Sequence, residues 1–594
     1  MIKQHSLLFI STTLLLSACA QEKLDSENKQ QEDLVVKEQK QKNNSTQQIQ
    51  QHEVELHRTV LGDNKKNHNR ASPIKMMRKE QSQAGLSIMH IAAAQPIYSD
   101  RVVDNEKYKQ IDANPTFQVS QQPVSTFSID VDTASYANVR RLLNQGSLPQ
   151  HSAVRVEELI NYFSYDYGHQ SFDEEQSFSI YSEVGPSPYN RDKQLIHIGI
   201  QGKDIAQEKR PASNLVFLID VSGSMNNANK IGLLKSALKM LTNQLNEQDK
   251  VAIVVYAGAA GTVLEPTAGD NNQAIIDALS RLSAGGSTNG GAGIEAAYAL
   301  ARASFIKDGI NRVILATDGD FNVGTTNQQV LKELIIKQRE SGVALSILGF
   351  GAGNYNDALM QELAQNGDGN AYYIDTLNEA RKVLVEELSS TLMIIAKDVK
   401  IQVEFNPNLV SEYRLIGYET RALKRQDFNN DKVDAGDIGA GHTVTALYEV
   451  SLVGGKNQSL DPLRYGSNLH GEYNNESKSN SKVGELAYLR LRYKKVGEDK
   501  SRLIEQPIIL SNMKSSLEET SNNFKFSAAV AGFGQLLTGG ENLSTMTISQ
   551  IITLAQQSKG EDQHGYRGEF INMVKLADAL APKRVNNKSS IAKY

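Results

Sequence analysis

Four short apolar runs constrain the architecture more than any other feature of the chain: "LVFLID" at 215–220, "VAIVVY" at 251–256, "RVILATD" at 312–318 and "VALSILGF" at 343–350. They are continuous rather than alternating, as parallel strands covered on both faces must be. Between them the periodicity changes to that of amphipathic helices, with Ile231, Leu234, Leu238, Leu241 and Leu245 spaced by three and four. The predicted fold class is α/β, a doubly wound, mostly parallel sheet over residues 205–395 that closes on a helix around 378–391.

Strand patterns flank this region on both sides. "FSIYSEVGPSPY" and "LIHIGIQGKDI" precede it in an α+β region at 123–204 that opens with strand, turn and helix; "VKIQVEF", "HTVTALYEVSLV", "ELAYLRLRYKK" and "LIEQPIIL" follow it in a β-rich region at 396–511. Because domain insertion is tolerated where chain ends lie close together, the α/β domain is expected to be inserted in a β-sandwich built from both flanks; two separate β regions are the alternative. "FKFSAAVAGFGQLL", "TMTISQIITLAQQ" and "RGEFINMVKLADAL" then predict a helical C-terminal region at 512–594.

The N-terminus carries a different message. Residues 1–18 combine an early lysine with an apolar run too short for a membrane span, the pattern of a signal peptide. Leu16-Ser17-Ala18-Cys19 resembles the lipobox of bacterial lipoproteins, and Cys19 is the sole cysteine. The resemblance implies cleavage before Cys19 and its acylation, for instance with palmitate, which anchors the protein without a spanning helix. Ala20, in place of an aspartate resembling a retention signal, favours the outer membrane where a cell has two. Residues 19–122, rich in Gln, Asn, Lys and Glu, read as a disordered tether. A net charge of -5 provides no basic field, so nucleic acid is not an expected partner.

The first apolar run ends in "DVSGS", which sets Asp220, Ser222 and Ser224 in a loop after a strand, where open α/β sheets place their ligand crevice. Three hard oxygen donors suit Mg²⁺, with Mn²⁺ or Ca²⁺ as further possibilities; the bland reading is helix capping by Ser and Asp. Two other loops of the domain carry more oxygens, Thr288 in "GGSTNGG" and Asp318 in "ATDG". In this order, the three motifs resemble the von Willebrand factor type A domain with a complete metal-ion-dependent adhesion site. The resemblance implies a metal held by the hydroxyls of Ser222, Ser224 and Thr288, with Asp220 and Asp318 acting directly or through water. "SIDVDTASYANVRR" and "DKVDAGDIGAGHTVTALYEV" resemble the flanks of a bacterial lipoprotein branch of that family.

The functional expectation is divalent-cation-dependent protein recognition, in adhesion or envelope assembly, with a partner's Asp or Glu carboxylate as the ligand. An envelope scaffold with a merely stabilising metal is the alternative. By analogy with the family, the helix at 378–391 is expected to shift on ligand engagement. Catalysis is not expected, because the three loops hold no histidine, cysteine or lysine to act as a base.

Other motifs are weaker. Asp130, Asp132 and Thr133 in "FSIDVDTAS" resemble the first motif of haloacid dehalogenase-like phosphotransferases, but the following strands supply neither lysine nor acidic loop; a polar turn capped by Thr133 is preferred. Gly349, Gly351 and Gly353 suggest a dinucleotide loop broken by Asn354, so a tight turn is expected. Asp427, Asn429 and Asp431 open like a calcium loop, but Lys432 and Ile438 stand where glycine and glutamate belong, and a solvated turn is expected.

Overall fold

The computed structural model describes residues 106–581, apart from 130–131, 169–175, 206–208, 287–289, 320–327, 354, 456–457, 462–483 and 545. The signal segment, Cys19, most of the tether, Asp130, Thr288 and Asn354 therefore lie outside the described residues. Among the described residues no helix is long and apolar enough to cross a membrane.

In chain order the strands before the α/β domain are β1 (Phe117–Gln118), β2 (Val124–Ser128), β3 (Phe178–Pro186) and β4 (Gln194–Gly202). The domain itself contributes β5 (Ser213–Asp220), β6 (Lys250–Tyr256), β7 (Ala260–Ala268), β8 (Ile310–Thr317), β9 (Ala344–Phe350) and β10 (Ala371–Ile374). After it come β11 (Ile394–Phe405), β12 (Val410–Ile416), β13 (Gly436–Gly439), β14 (Thr443–Leu452), β15 (Glu485–Lys495) and β16 (Arg502–Ile509).

The six-stranded sheet has the order β10-β9-β8-β5-β6-β7. All its pairs are parallel except β6 with β7. Every residue of β5 is buried, because one face packs under helices such as Gly290–Ala303 and the other under Leu233–Thr242. The doubly wound sheet expected from the apolar runs is present.

The flanking strands do not form two separate regions. One sheet runs β1-β12-β14-β4-β3 and another β13-β11-β15-β16, with β2 also pairing β11. Both sheets combine strands from before and after the α/β domain, and Phe127, Ile180 and Ile198 share one core with Ile401, Val403 and Leu489. This is the β-sandwich with an inserted domain. The domain's two connections meet at one turn: Gly202 N donates to His442 O at 2.8 Å, Gly441 N to Lys203 O at 3.1 Å and Ala440 N to Met393 O at 2.9 Å.

The tether ends earlier than expected. Phe117 and Gln118 pair with Tyr413 and Glu412, Val119 is buried, and Glu106 forms an ion pair with Arg141. Phe117 and Val119, two residues apart and so on one face, both pack on the sandwich core, a pattern too short to stand out beside polar sequence.

The C-terminal helices Asn522–Leu537, Ile548–Gln557 and Tyr566–Leu580 are present. Their core joins Phe526, Phe533 and Phe570 to Tyr136, Leu159 and Phe163 of the N-terminal flank and to Leu195 and Leu447 of the sandwich. The expected closing helix is broken into Leu377–Arg381, a π-helical turn Lys382–Glu386 and Leu388–Leu392.

Candidate metal centre

At the carboxyl end of β5 the chain turns sharply. Asp220 is fully buried and accepts from Ser222 N at 2.8 Å on Oδ1. Its Oδ2 accepts from Tyr256 OH and Thr317 Oγ1, both at 3.2 Å, at the ends of β6 and β8. Burial raises the Asp220 carboxyl above its ordinary range, and the Asp318 charge adds to the rise against the hydrogen bonds from Ser222. A cation beside it would oppose both effects.

Ser222 occupies the N-cap position of the 3₁₀ turn Gly223–Met225 but makes no side-chain capping bond. Its hydroxyl instead meets Ser224 Oγ at 3.0 Å. That separation tests the fit to a metal, since adjacent oxygens of an octahedron with bonds of 2.0–2.1 Å lie about 2.8–3.0 Å apart. The pair fits. Among the described residues no three His, Cys, Asp or Glu side chains gather to hold a cation, so a centre here must draw on hydroxyl oxygens.

The second loop is laced to the first, with Gly223 N donating to Gly286 O at 3.1 Å and Gly285 N to Val221 O at 2.7 Å. Thr288 follows two residues later, outside the described residues. Asp318, directly after β8, is buried. The structure thus gathers Asp220, Ser222, Ser224 and Asp318 of the five expected residues.

It also adds one that the motifs did not indicate. Lys230, on the π-helical turn Ala228–Gly232, donates from Nζ to Asp318 Oδ2 at 2.9 Å. The loops hold no lysine, but the turn beyond the first loop supplies one. Its pairing depends on Gly351, 121 residues further along the chain than Lys230, so the local motif carried no sign of it.

The weaker motifs are accounted for. β2, which leads to Asp132, lies antiparallel to β11 in the sandwich, and Asp132 accepts from Ala371 N at 3.1 Å and from Arg421 at 2.9 Å. Thr133 stands at the N-cap of Ala134–Asn144 without a side-chain capping bond, contrary to expectation; Glu158 accepts from Ser135 N there at 2.8 Å. Asp427 caps a 3₁₀ turn, Asn429 accepts from Arg492 and Asp431 from Ser501 N, so the three face different partners. Gly351 and Gly353 both have positive φ, as a tight turn requires.

Comparison with known proteins gives the family of the chain. Residues 214–387 match the von Willebrand factor type A domain model, 102–197 a model described as von Willebrand factor, and 390–580 one described as "Uncharacterized protein YfbK, C-terminal". The Escherichia coli (strain K12) protein YfbK is 48% identical over 482 residues, 80% of this chain and 81% of its own. The chain belongs to the YfbK family of von Willebrand factor type A proteins. Mouse inter alpha-trypsin inhibitor heavy chain 4 is 30% identical over 27% of this chain and 17% of its own. The solved von Willebrand factor type A structure from Catenulispora acidiphila covers 67% of this chain and 90% of its own, with a TM-score of 0.37 at 16% identity. Von Willebrand factor type A domains are in general non-enzymatic interaction domains and typically bind a divalent cation at their adhesion site.

Proposed function

We propose that this protein binds an acidic protein ligand through a divalent cation, Mg²⁺ with Mn²⁺ or Ca²⁺ as substitutes, held by Asp220, Ser222, Ser224, Thr288 and Asp318. The observation that carries the reading is the pair of serine hydroxyls 3.0 Å apart, turned away from capping and toward each other beside a buried carboxylate. Bound there, the cation supplies positive charge and a coordination position open to an anionic oxygen. Neutral hydroxyl ligands leave more of that charge uncancelled than carboxylates do, which suits a partner's Asp or Glu side chain. Tyr256 and Thr317 hold Asp220 in place for this role.

The N-terminal motif extends the proposal to location. Acylated Cys19 anchors the chain at the cell envelope, in the outer membrane where there are two membranes, and the von Willebrand factor type A domain acts in adhesion or envelope assembly.

The test is capture from membrane extract by the full chain, with Mg²⁺ or with chelator. Capture by wild type that disappears with chelator and in Ser222→Ala/Ser224→Ala supports the reading. Capture retained by the folded double variant ends it and moves binding to the flanking units.

A further inference from the structure

Lys230 is held too specifically to be an incidental surface charge. Its side chain is 10% exposed and Asp318's is 0%, and its stem crosses Gly351, where φ is +78° and an added Cβ would lie 2.3 Å from Lys230 Cε and 2.6 Å from Cγ. A residue without a side chain and with left-handed backbone thus makes the slot the lysine lies in. The Gly351 turn is itself tied down, since Tyr373 OH donates to Gly351 O and Gly353 N donates to Glu106 Oε1 at 2.9 Å.

The consequence is electrostatic. Asp220 and Asp318 carry two negative charges and Lys230 returns one positive. A divalent cation among the three leaves a net positive centre; without the lysine it leaves a neutral one.

We propose that Lys230 sets the charge of the metal centre, weakening its hold on the divalent cation and strengthening its demand for a carboxylate from the partner. The inference rests on the reading of Asp220, Ser222, Ser224 and Asp318 as a metal centre. Lys230 touches neither the cation nor the ligand in this role; it acts through Asp318. Since unit charges interact appreciably across several ångströms at a partly buried site, its removal has opposite effects on two affinities.

The experiment is calorimetric titration of the full chain with Mg²⁺, followed by titration of the Mg²⁺-saturated protein with acetate as a carboxylate probe. Lys230→Gln and Lys230→Ala are the neutral variants, and the alanine leaves room for water to solvate Asp318. They are expected to bind Mg²⁺ at least tenfold more tightly than wild type, about 1.4 kcal/mol, and to bind acetate more weakly. Lys230→Arg is expected to retain weak Mg²⁺ and strong acetate. A neutral variant that folds only with Mg²⁺ present also supports the proposal, because ion and ammonium then serve as alternative partners of one carboxylate. Unchanged affinities, or unfolding of both neutral variants with and without Mg²⁺, make Lys230 a structural pin and overturn it. Failure of wild type to bind Mg²⁺ instead removes the metal centre itself.

Discussion

Replacing Arg140 with methionine is expected to destabilise the protein by about 3–5 kcal/mol, the cost of breaking a buried ion pair from one side. Arg140 lies on the helix Ala134–Asn144 with a side chain 1% exposed. Its guanidinium bonds both oxygens of Asp375, Glu379 Oε2 at 2.7 Å, Glu569 Oε2 at 2.8 Å and Tyr162 OH at 3.0 Å. The Asp375 and Glu379 side chains are 3% and 1% exposed, and Glu379 Oε1 has no hydrogen-bond partner among the described residues. Methionine fills the space but leaves two carboxylates in it without a cation. Burial already holds the Asp375 carboxyl above its ordinary range against the pull of Arg140. In the variant the folded state therefore binds more protons than the unfolded one, so stability falls as pH rises out of the ordinary carboxylate range and recovers as pH is lowered. The assay is urea unfolding followed by far-UV circular dichroism, since the chain has no tryptophan, at about pH 7.5 and about pH 5. The deficit should be largest at the higher pH, and Arg140→Met/Asp375→Asn/Glu379→Gln should recover most of it. A loss under about 1 kcal/mol, equal at both pH values, would show the cluster solvated and refute the reasoning.

Ser222→Ala/Ser224→Ala should abolish the Mg²⁺-induced rise in melting temperature; the wild-type gain at a hundred times the dissociation constant is about 2.7 kcal/mol, and a variant that keeps it has its metal elsewhere. His197 is buried between Tyr167 OH and Ser527 Oγ, both at 3.0 Å, and burial lowers its pKa to about 3. Its contribution is complete above the ordinary value near 6.5 and declines as pH falls, by about 1.4 kcal/mol per unit; urea midpoints measured down the acid limb should fall less in His197→Gln, and equal slopes would contradict this. Gly439→Ala should cost about 3 kcal/mol in urea unfolding, because the new Cβ would sit 1.8 Å from Ser390 O; wild-type stability would disprove that close approach.

What could be read from the sequence was what is local. Continuous apolar runs located β5, β6, β8 and β9 because burial on both faces leaves no polar positions. β7 was not visible, since an antiparallel edge strand with the pattern "AGTVLEPTA" is largely exposed, and β10 has only four residues. The sandwich was expected, but its pairings were not, because the register that sets Gln201 opposite Thr443 joins residues separated by the whole inserted domain. The loop that carries Asp220, Ser222 and Ser224 was legible as alternating oxygens. Arg140, Asp375, Glu379 and Glu569 come from the N-terminal flank, the domain and the last helix, and no sequence window contains them together.

The two ion clusters share the carboxyl edge of one sheet with Asp220, and the donors around the three carboxylates differ. Asp375 follows β10 and Asp318 follows β8, two strands and about 10 Å apart. Asp375 is matched by Arg140 and Asp318 by Lys230, cations the chain supplies from other elements. Asp220, at the end of β5 on the same edge, is equally buried, yet its hydrogen-bond donors are a backbone amide and the Tyr256 and Thr317 hydroxyls, all neutral. Neutral donors compensate a buried carboxylate less than a cation does. That difference favours the proposed placement of an external cation beside Asp220, where the Ser222 and Ser224 hydroxyls meet at 3.0 Å.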